Sequence, residues 1–292
     1  MKSGSFGRFQ GGGGTSSFFH DAPVSKRLLI GIVAVHLLVA LTRFKGQESP
    51  LVTWGAFNLS DSWQLWRVFT FQFLHGNFGH LLSNGIGLFF FAPHVERWLG
   101  SRPFLVFYLL CGVAGALFYS LLFFLPGFLT AYSAATQMVG ASAGLFGILA
   151  AFVVIAPDAR VLLFFFIPLK MRTLGIGYFI LEVFRVLTMQ ANAGGSAGHL
   201  GGAILGYVII RNPTLREKLN RFSKGLKAGR RGKGNRKERK RPRRSSRDAT
   251  VVRSSPIDVT EQVDAILDKI SSSGIQSLTK GEREILDKAR RK

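Results

Sequence analysis

The chain has 292 residues, with 38 Lys+Arg against 16 Asp+Glu, a formal net charge of +22 and a pI near 11.1; yet 47% of residues are hydrophobic and mean hydropathy is +0.24. A stand-alone nucleic-acid-binding domain is rarely so apolar, whereas a membrane protein with a basic appendage has this balance. The single cysteine, Cys111, excludes an internal disulfide and a cysteine-based zinc site.

Residues 1–25 are rich in Gly and Ser, with four glycines at Gly11–Gly14, and read as a flexible tail. A cleavable signal peptide is not expected, because the first apolar run begins only at Leu28 and no small-residue cleavage pattern follows it. Six helices are predicted next: Leu28–Phe44, Gly79–Trp98, Pro103–Leu125, Gly140–Ala156, Thr173–Leu187 and Gly198–Ile210. Trp54, Trp63 and Trp66 in the first connection suit a membrane–water interface. Arg160–Arg172, apolar but with Pro168, Lys170 and Arg172, reads as an interfacial loop. The last three helices fall short of the ~20 residues that a span prefers. The expected fold is thus all-α, a polytopic six-helix membrane bundle over residues 26–211.

Charge gives an expected orientation. Lys26 and Arg27, Arg97 and Arg102, Arg160, Lys170 and Arg172, and the basic tail all fall on one side. The connections Pro126–Val139 and Thr188–Ala197 contain no Lys or Arg. This positive-inside pattern puts both termini in the cytoplasm, blunted by Arg43, Lys45 and Arg67. From Arg211 to Arg247 there are 17 Lys/Arg against Glu217 and Glu238. Residues 212–256 read as a basic disordered linker whose natural neighbour is anionic lipid headgroups, at about 1 kcal/mol per basic residue near the surface, rather than nucleic acid. Residues 257–292 read as a small helical hairpin. Asp258 and Glu261 mark one start, followed by Val263, Ile266, Leu267 and Ile270 at helical spacing; Gly274 ends it, and Thr279 with Glu282 begins a second helix carrying Ile285 and Leu286.

Polar groups inside membrane helices are costly, so each is a functional candidate. Gly140-Ala141-Ser142-Ala143-Gly144 can be a small-residue packing stripe, or a serine nucleophile at a helix N-terminus whose free N–H groups hold an oxyanion. Gly198, Gly202 and Gly206 recur every four residues and form a smooth face with His199 at its edge. That face lets a general base approach a serine; Gly202→Val is expected to destroy it, and Gly201→Ala, about 100° around the helix, is expected to be milder. His80 and Asn84 are i and i+4, hence on one helix face with His75 just upstream, able to bind an anion. Metal binding is the rival there, but no carboxylate or third histidine stands at convincing spacing. His20, His36 and His94 belong to no constellation.

Taken in order, these motifs resemble the rhomboid intramembrane serine proteases over about residues 26–211. Trp66-Arg67 resembles the family's Trp-Arg pair, and His75, His80 and Asn84 match the spacing of its second-helix motif. Glu96 and Arg97 stand at its charged cluster, Gly140-Ala141-Ser142-Ala143 matches its Gly-x-Ser-x, and His199 with Gly202 and Gly206 matches its sixth helix. Ala143 departs from the second glycine that many members have. The resemblance implies Ser142 as nucleophile and His199 as base, without an acidic third member. It also implies an oxyanion hole of His80, Asn84 and the Ser142 N–H, with Trp66, Arg67, His75, Gly140, Gly202 and Gly206 as support. No cofactor is implied, and the substrates would be transmembrane or juxtamembrane segments. Glu182 and Arg185, one turn apart, are expected to be a structural neutralising pair. The non-enzymatic alternative is an inactive rhomboid-like protein that holds client helices; such relatives usually lack the serine or the histidine. A transporter would want inverted repeats, which the sequence lacks. The C-terminal hairpin resembles a short domain found on some bacterial rhomboid-like proteins.

Overall fold

A computed structural model describes residues 19–44, 46–129, 132–163, 166–231, 266–270 and 275–290. The chain divides into two units, Met1–Gly234 and Asn235–Lys292. Most of the expected N-terminal tail, most of the linker and the expected first start at Asp258 and Glu261 lie outside the described residues.

Helix α1, Pro23–Thr42, has proline in its first turn, where a missing N–H costs nothing. The free amides at its start are satisfied from a distance: Val24 N donates to Glu96 Oε1 at 3.0 Å, and Ser25 donates to Glu96 Oε2 from N at 2.6 Å and from Oγ at 2.7 Å. Short helices α2 (Pro50–Gly55) and α3 (Arg67–Thr70), then a 3₁₀ turn at Phe71–Phe73, make up the first connection. Helix α4, Phe78–Leu99, is capped by Asn77, whose Oδ1 accepts from His80 N. It ends at Gly100, whose φ of +85° turns the chain directly into α5, Ser101–Phe124.

Helix α6, Ser142–Ile155, carries the core's Leu145, Ile148, Leu149 and Phe152. A hairpin follows instead of the expected loop. Strands β1 (Arg160–Leu163) and β2 (Ile167–Lys170) pair antiparallel, with Arg160 opposite Lys170 and Leu163 opposite Ile167. Pro168 is tolerated because a two-stranded sheet has only edge strands. Helix α7 spans Met171–Leu187 and α8 spans Ala193–Arg211. Helix α8 starts five residues before the expected Gly198, which brings Gly194 and Ser196 into its buried face. The supposed linker is also helical in its first part: α9, Pro213–Arg231, continues after Asn212, whose side chain accepts from Thr214 N. Leu215, Leu219 and Phe222 recur there at helical spacing, so the charge content masked an amphipathic helix.

Helices α1, α5 and α8 are each long and apolar enough to cross a membrane, and α6 is a shorter apolar helix. Many large apolar side chains point outward, among them Ile30, Leu41, Leu117, Ile180 and Leu187. A soluble protein rarely shows so much exposed apolar surface; in a bilayer, lipid covers it. The fold is all-α and polytopic, the hairpin being its one sheet among the described residues.

The centre is built by α5, α6 and α8 at backbone distance. A Cβ at Gly206 would lie 2.5 Å from Gly147 O, and one at Gly115 would lie 2.7 Å from Gly198 O. A Cβ at Gly202 would collide with the Ala143 carbonyl. Gly201 is also closely held on the other side, where a Cβ would lie 2.5 Å from both Ala114 O and Phe118 Cβ. Helix α8 is thus pressed between two helices and two of its faces carry close-packed glycines, with the tighter approach at Gly202.

In the second unit residues 266–270 are helical, and α10 spans Lys280–Arg290. Thr279 and Glu282 form a capping box: Thr279 N donates to Glu282 Oε2 at 2.8 Å, and Glu282 N to Thr279 Oγ1 at 3.4 Å. Lys269 Nζ lies 2.9 Å from Glu282 Oε1 and joins the two helical pieces. Lys269 and the Thr279 donors hold the Glu282 carboxyl down at about 2.

Candidate active site

The first connection prepares the ground. Arg67 is buried, with Nη1 donating to Thr53 O at 2.9 Å and to Ala56 O at 2.6 Å, and Nε donating to Gln64 Oε1 at 2.8 Å. Its Nη2 is 3.4 Å from Asp61 Oδ2. Trp66 stacks on Trp54 at 5.4 Å and donates its indole N–H to Trp54 O. One guanidinium thus ties α2 to α3. This loop in turn holds the segment leading to Ser142, through paired bonds between Phe57 and Met138 and a 2.9 Å bond from Gly140 N to Phe71 O.

Gly140 sits at φ +132°, a conformation costly for any side chain, and a Cβ there would lie 2.7 Å from His80 Nε2. Glycine therefore lets the His80 ring lie beside the start of α6. Ser142 is the first residue of that helix, where backbone N–H groups have no partner within the helix.

His199, in the second turn of α8, reaches across the glycine face. Its Nε2 is 2.7 Å from Ser142 Oγ. Its ring stacks flat on Phe146, with centroids 4.2 Å apart and planes at 6°. Phe146 lies one helical turn after Ser142, so α6 supplies both the hydroxyl and the platform that orients the imidazole. The sequence reading missed Phe146; its only signal was the i, i+4 spacing from Ser142.

The remaining expected residues are placed unequally. His75 is buried, its ring edge-on to His80 at 5.1 Å, and neither of its ring nitrogens has a hydrogen-bond partner among the described residues. Asn84 is buried but turned back on its own helix, with Nδ2 donating to His80 O at 2.9 Å. Gly202 and Gly206 lie in the α6–α8 contact. Glu182 and Arg185 do pair, at 3.1 Å, but Glu182 also lies 3.2 Å from His199 Nδ1. The resemblance implied no acidic third member, yet a 1% exposed carboxylate stands beside the histidine. A cavity of about 350 Å³ opens beside it between α6, α7 and α8, lined by Phe146, Tyr178, Leu200, Ile204 and Tyr207. Among the described residues, no cluster of three or more His, Cys, Asp or Glu is disposed to hold a metal ion.

The Rhomboid domain family matches residues 62–212, just over half of the chain. The chain belongs to the rhomboid family. RHOMBOID-like protein 12, mitochondrial, of Arabidopsis thaliana is 32% identical over 157 residues, 49% of this rhomboid and 44% of that protein. Rhomboid protease GluP of Bacillus subtilis (strain 168) is 29% identical over 168 residues, 57% of this chain and 28% of that one. Putative rhomboid protease YdcA of the same bacterium is 46% identical over 50 residues, 17% and 25% of the two chains. This rhomboid spans less than half the length of each of these relatives. Residues 258–292 match a family of unknown function (DUF6576).

Proposed function

We propose that this rhomboid is an intramembrane serine endopeptidase that cleaves transmembrane or juxtamembrane segments of other membrane proteins. The observation that carries this reading is the 2.7 Å contact between Ser142 Oγ and His199 Nε2 at the start of a helix. A serine hydroxyl is a weak nucleophile until a base within hydrogen-bond reach takes its proton. Ser142 attacks the scissile carbonyl as its proton passes to His199 Nε2. The carbonyl electron pair moves onto oxygen, and His199 then delivers the proton to the leaving amine. Water hydrolyses the acyl-enzyme through the same base. The Ser142 N–H and the His80 ring are the nearest donors for the oxyanion. Asn84 joins them only after its amide swings away from His80 O.

The relatives that carry the word protease in their names support this reading, as does the presence of both serine and histidine. Six helices, α1 and α4–α8, cross the bilayer with both termini cytoplasmic, following the basic connections. The amphipathic, basic α9 then lies at the cytoplasmic surface near anionic headgroups. The test is purified chain in proteoliposomes with a generic transmembrane substrate, wild type beside Ser142→Ala and His199→Ala. Each variant should lose roughly 10⁴–10⁶ in rate while melting as the wild type does. Sustained cleavage by either folded variant would point to another nucleophile or base, and a wild type that cleaves nothing would favour the client-holding role.

A further inference from the structure

One buried carboxylate is left over by a mechanism that uses only Ser142 and His199. Glu182 sits on α7, 1% exposed, and is the one acidic residue of that mainly apolar helix. Its two oxygens divide their neighbours. Oε1 accepts from Arg185 Nη1 at 3.1 Å. Oε2 lies 3.2 Å from His199 Nδ1, close but not aligned as a hydrogen bond, and both buried atoms are without a hydrogen-bond partner among the described residues.

The protonation of the imidazole follows from its other side. To accept the Ser142 proton, Nε2 must begin bare, so the neutral ring carries its hydrogen on Nδ1. That N–H then lies beside Glu182 Oε2, a donor within 3.2 Å of an acceptor, and a small adjustment of the carboxylate aligns the two. Stacking on Phe146 fixes the ring plane, with Nε2 at Ser142 of α6 and Nδ1 beside Glu182 of α7. If Glu182 served only to neutralise Arg185, nothing would require its second oxygen to be at the histidine. A partly exposed Arg185 could instead find its counter-ion at the surface.

We infer that Glu182 is a positioning residue for His199, making a Ser142–His199–Glu182 relay in place of a two-residue dyad. This rests on the protease reading above. As the Ser142 Oγ–carbon bond forms, the hydroxyl proton moves to Nε2 and the ring becomes an imidazolium. The Nδ1 proton stays where it is, and the Glu182 charge stabilises the cation beside it. Arg185 balances that carboxylate in the resting state, so the apolar surroundings hold a neutral pair. The charge on Glu182 thus acts when the imidazolium forms, which places its effect in turnover rather than in substrate binding.

The experiment compares wild type, Glu182→Gln, Arg185→Gln and Ser142→Ala, all full-length in proteoliposomes, for kcat and KM on one transmembrane substrate. It adds the NMR signal of the His199 Nδ1 proton in the Ser142→Ala chain, where Glu182 is intact. Glu182→Gln should lose about 10²-fold or more in kcat, with KM within about threefold and melting close to wild type. Arg185→Gln should lose far less. The Nδ1 proton should resonate far downfield, as an imidazole N–H facing a carboxylate does. A Glu182→Gln chain within about threefold of wild-type kcat overturns the inference and leaves the protease reading standing, since Ser142→Ala stays inactive. Equal losses in Glu182→Gln and Arg185→Gln also overturn it, pointing to a structural pair. An absent downfield proton overturns it whether or not Glu182→Gln folds. A wild type that cleaves nothing overturns both readings.

Discussion

Helices α7 and α8 both face α6, yet they are held by opposite means. More than half of α8 is buried, and its glycines bring backbone against backbone on two sides. Helix α7 buries only Met171, Leu174, Glu182 and Val186, and it leaves Ile176, Phe179, Ile180, Leu181 and Phe184 exposed. Lipid tails are as apolar as leucine, so exposed side chains on α7 gain nothing by leaving lipid for protein. Cohesion comes from close packing where it exists, and it exists around α8. The serine and histidine therefore ride on the rigid pair α6–α8, while the carboxylate comes from the looser helix.

That contrast can be broken in several ways. The largest effect is expected from Gly202→Val, which drives a branched side chain into the Ala143 carbonyl beside the nucleophile. Overpacking costs about 1–3 kcal/mol or more, and a displacement of about 1 Å at the site can cost a hundredfold in rate. Both melting temperature and cleavage should fall together; near-normal values would mean α8 is not seated by its glycines. Next comes Gly201→Ala, against Ala114 O and Phe118 Cβ. It should lower the melting temperature by a comparable overpacking cost of about 1–3 kcal/mol, but it should spare more activity, because α5 carries no reacting group. Equal activity losses in the two variants would erase the distinction between the two faces of α8.

Asn84→Ala should then lower turnover roughly 10²-fold, the lower end of the cost of a lost oxyanion donor. An unchanged turnover would assign Asn84 to packing on His80 O alone. The smallest effect belongs to α7. Gly177 is exposed, and a Cβ there meets nothing within 4 Å. Gly177→Ala should leave cleavage and melting within error of wild type, or slightly stabilise the helix through alanine's propensity, by at most about 1 kcal/mol. A substantial loss would show that α7 is as tightly fitted as α8.

How far the sequence could be read follows the same division. Apolar run lengths and Gly/Pro punctuation placed α4, α5, α6 and α7 within two residues of their observed ends, because those signals are local. The glycine repeat identified the Gly202 face of α8, since a four-residue period reports one face. The close neighbours of Gly201 were not legible, because the period says nothing about a second helix on the other side. Glu182 was seen next to Arg185, for i, i+3 spacing is local too. Its distance to His199 depends on how α7 and α8 lie across residues 188–192, which no spacing encodes. Arg160–Lys170 is too short and too mixed to announce two strands, and in α9 the basic residues drowned the Leu215, Leu219 and Phe222 stripe.

The tie between Glu96 and the start of α1 has a consequence for how the protein is made. The acceptor for the Ser25 amide is synthesised 71 residues after it. When the first helix leaves the ribosome, its leading amides have only water or headgroups to bond with. They exchange those partners for the carboxylate only after α4 has been made. Helix α1 is inserted early and fastened late, so the order of translation keeps the amino-terminal end of the bundle loose until the end of α4 exists to secure it.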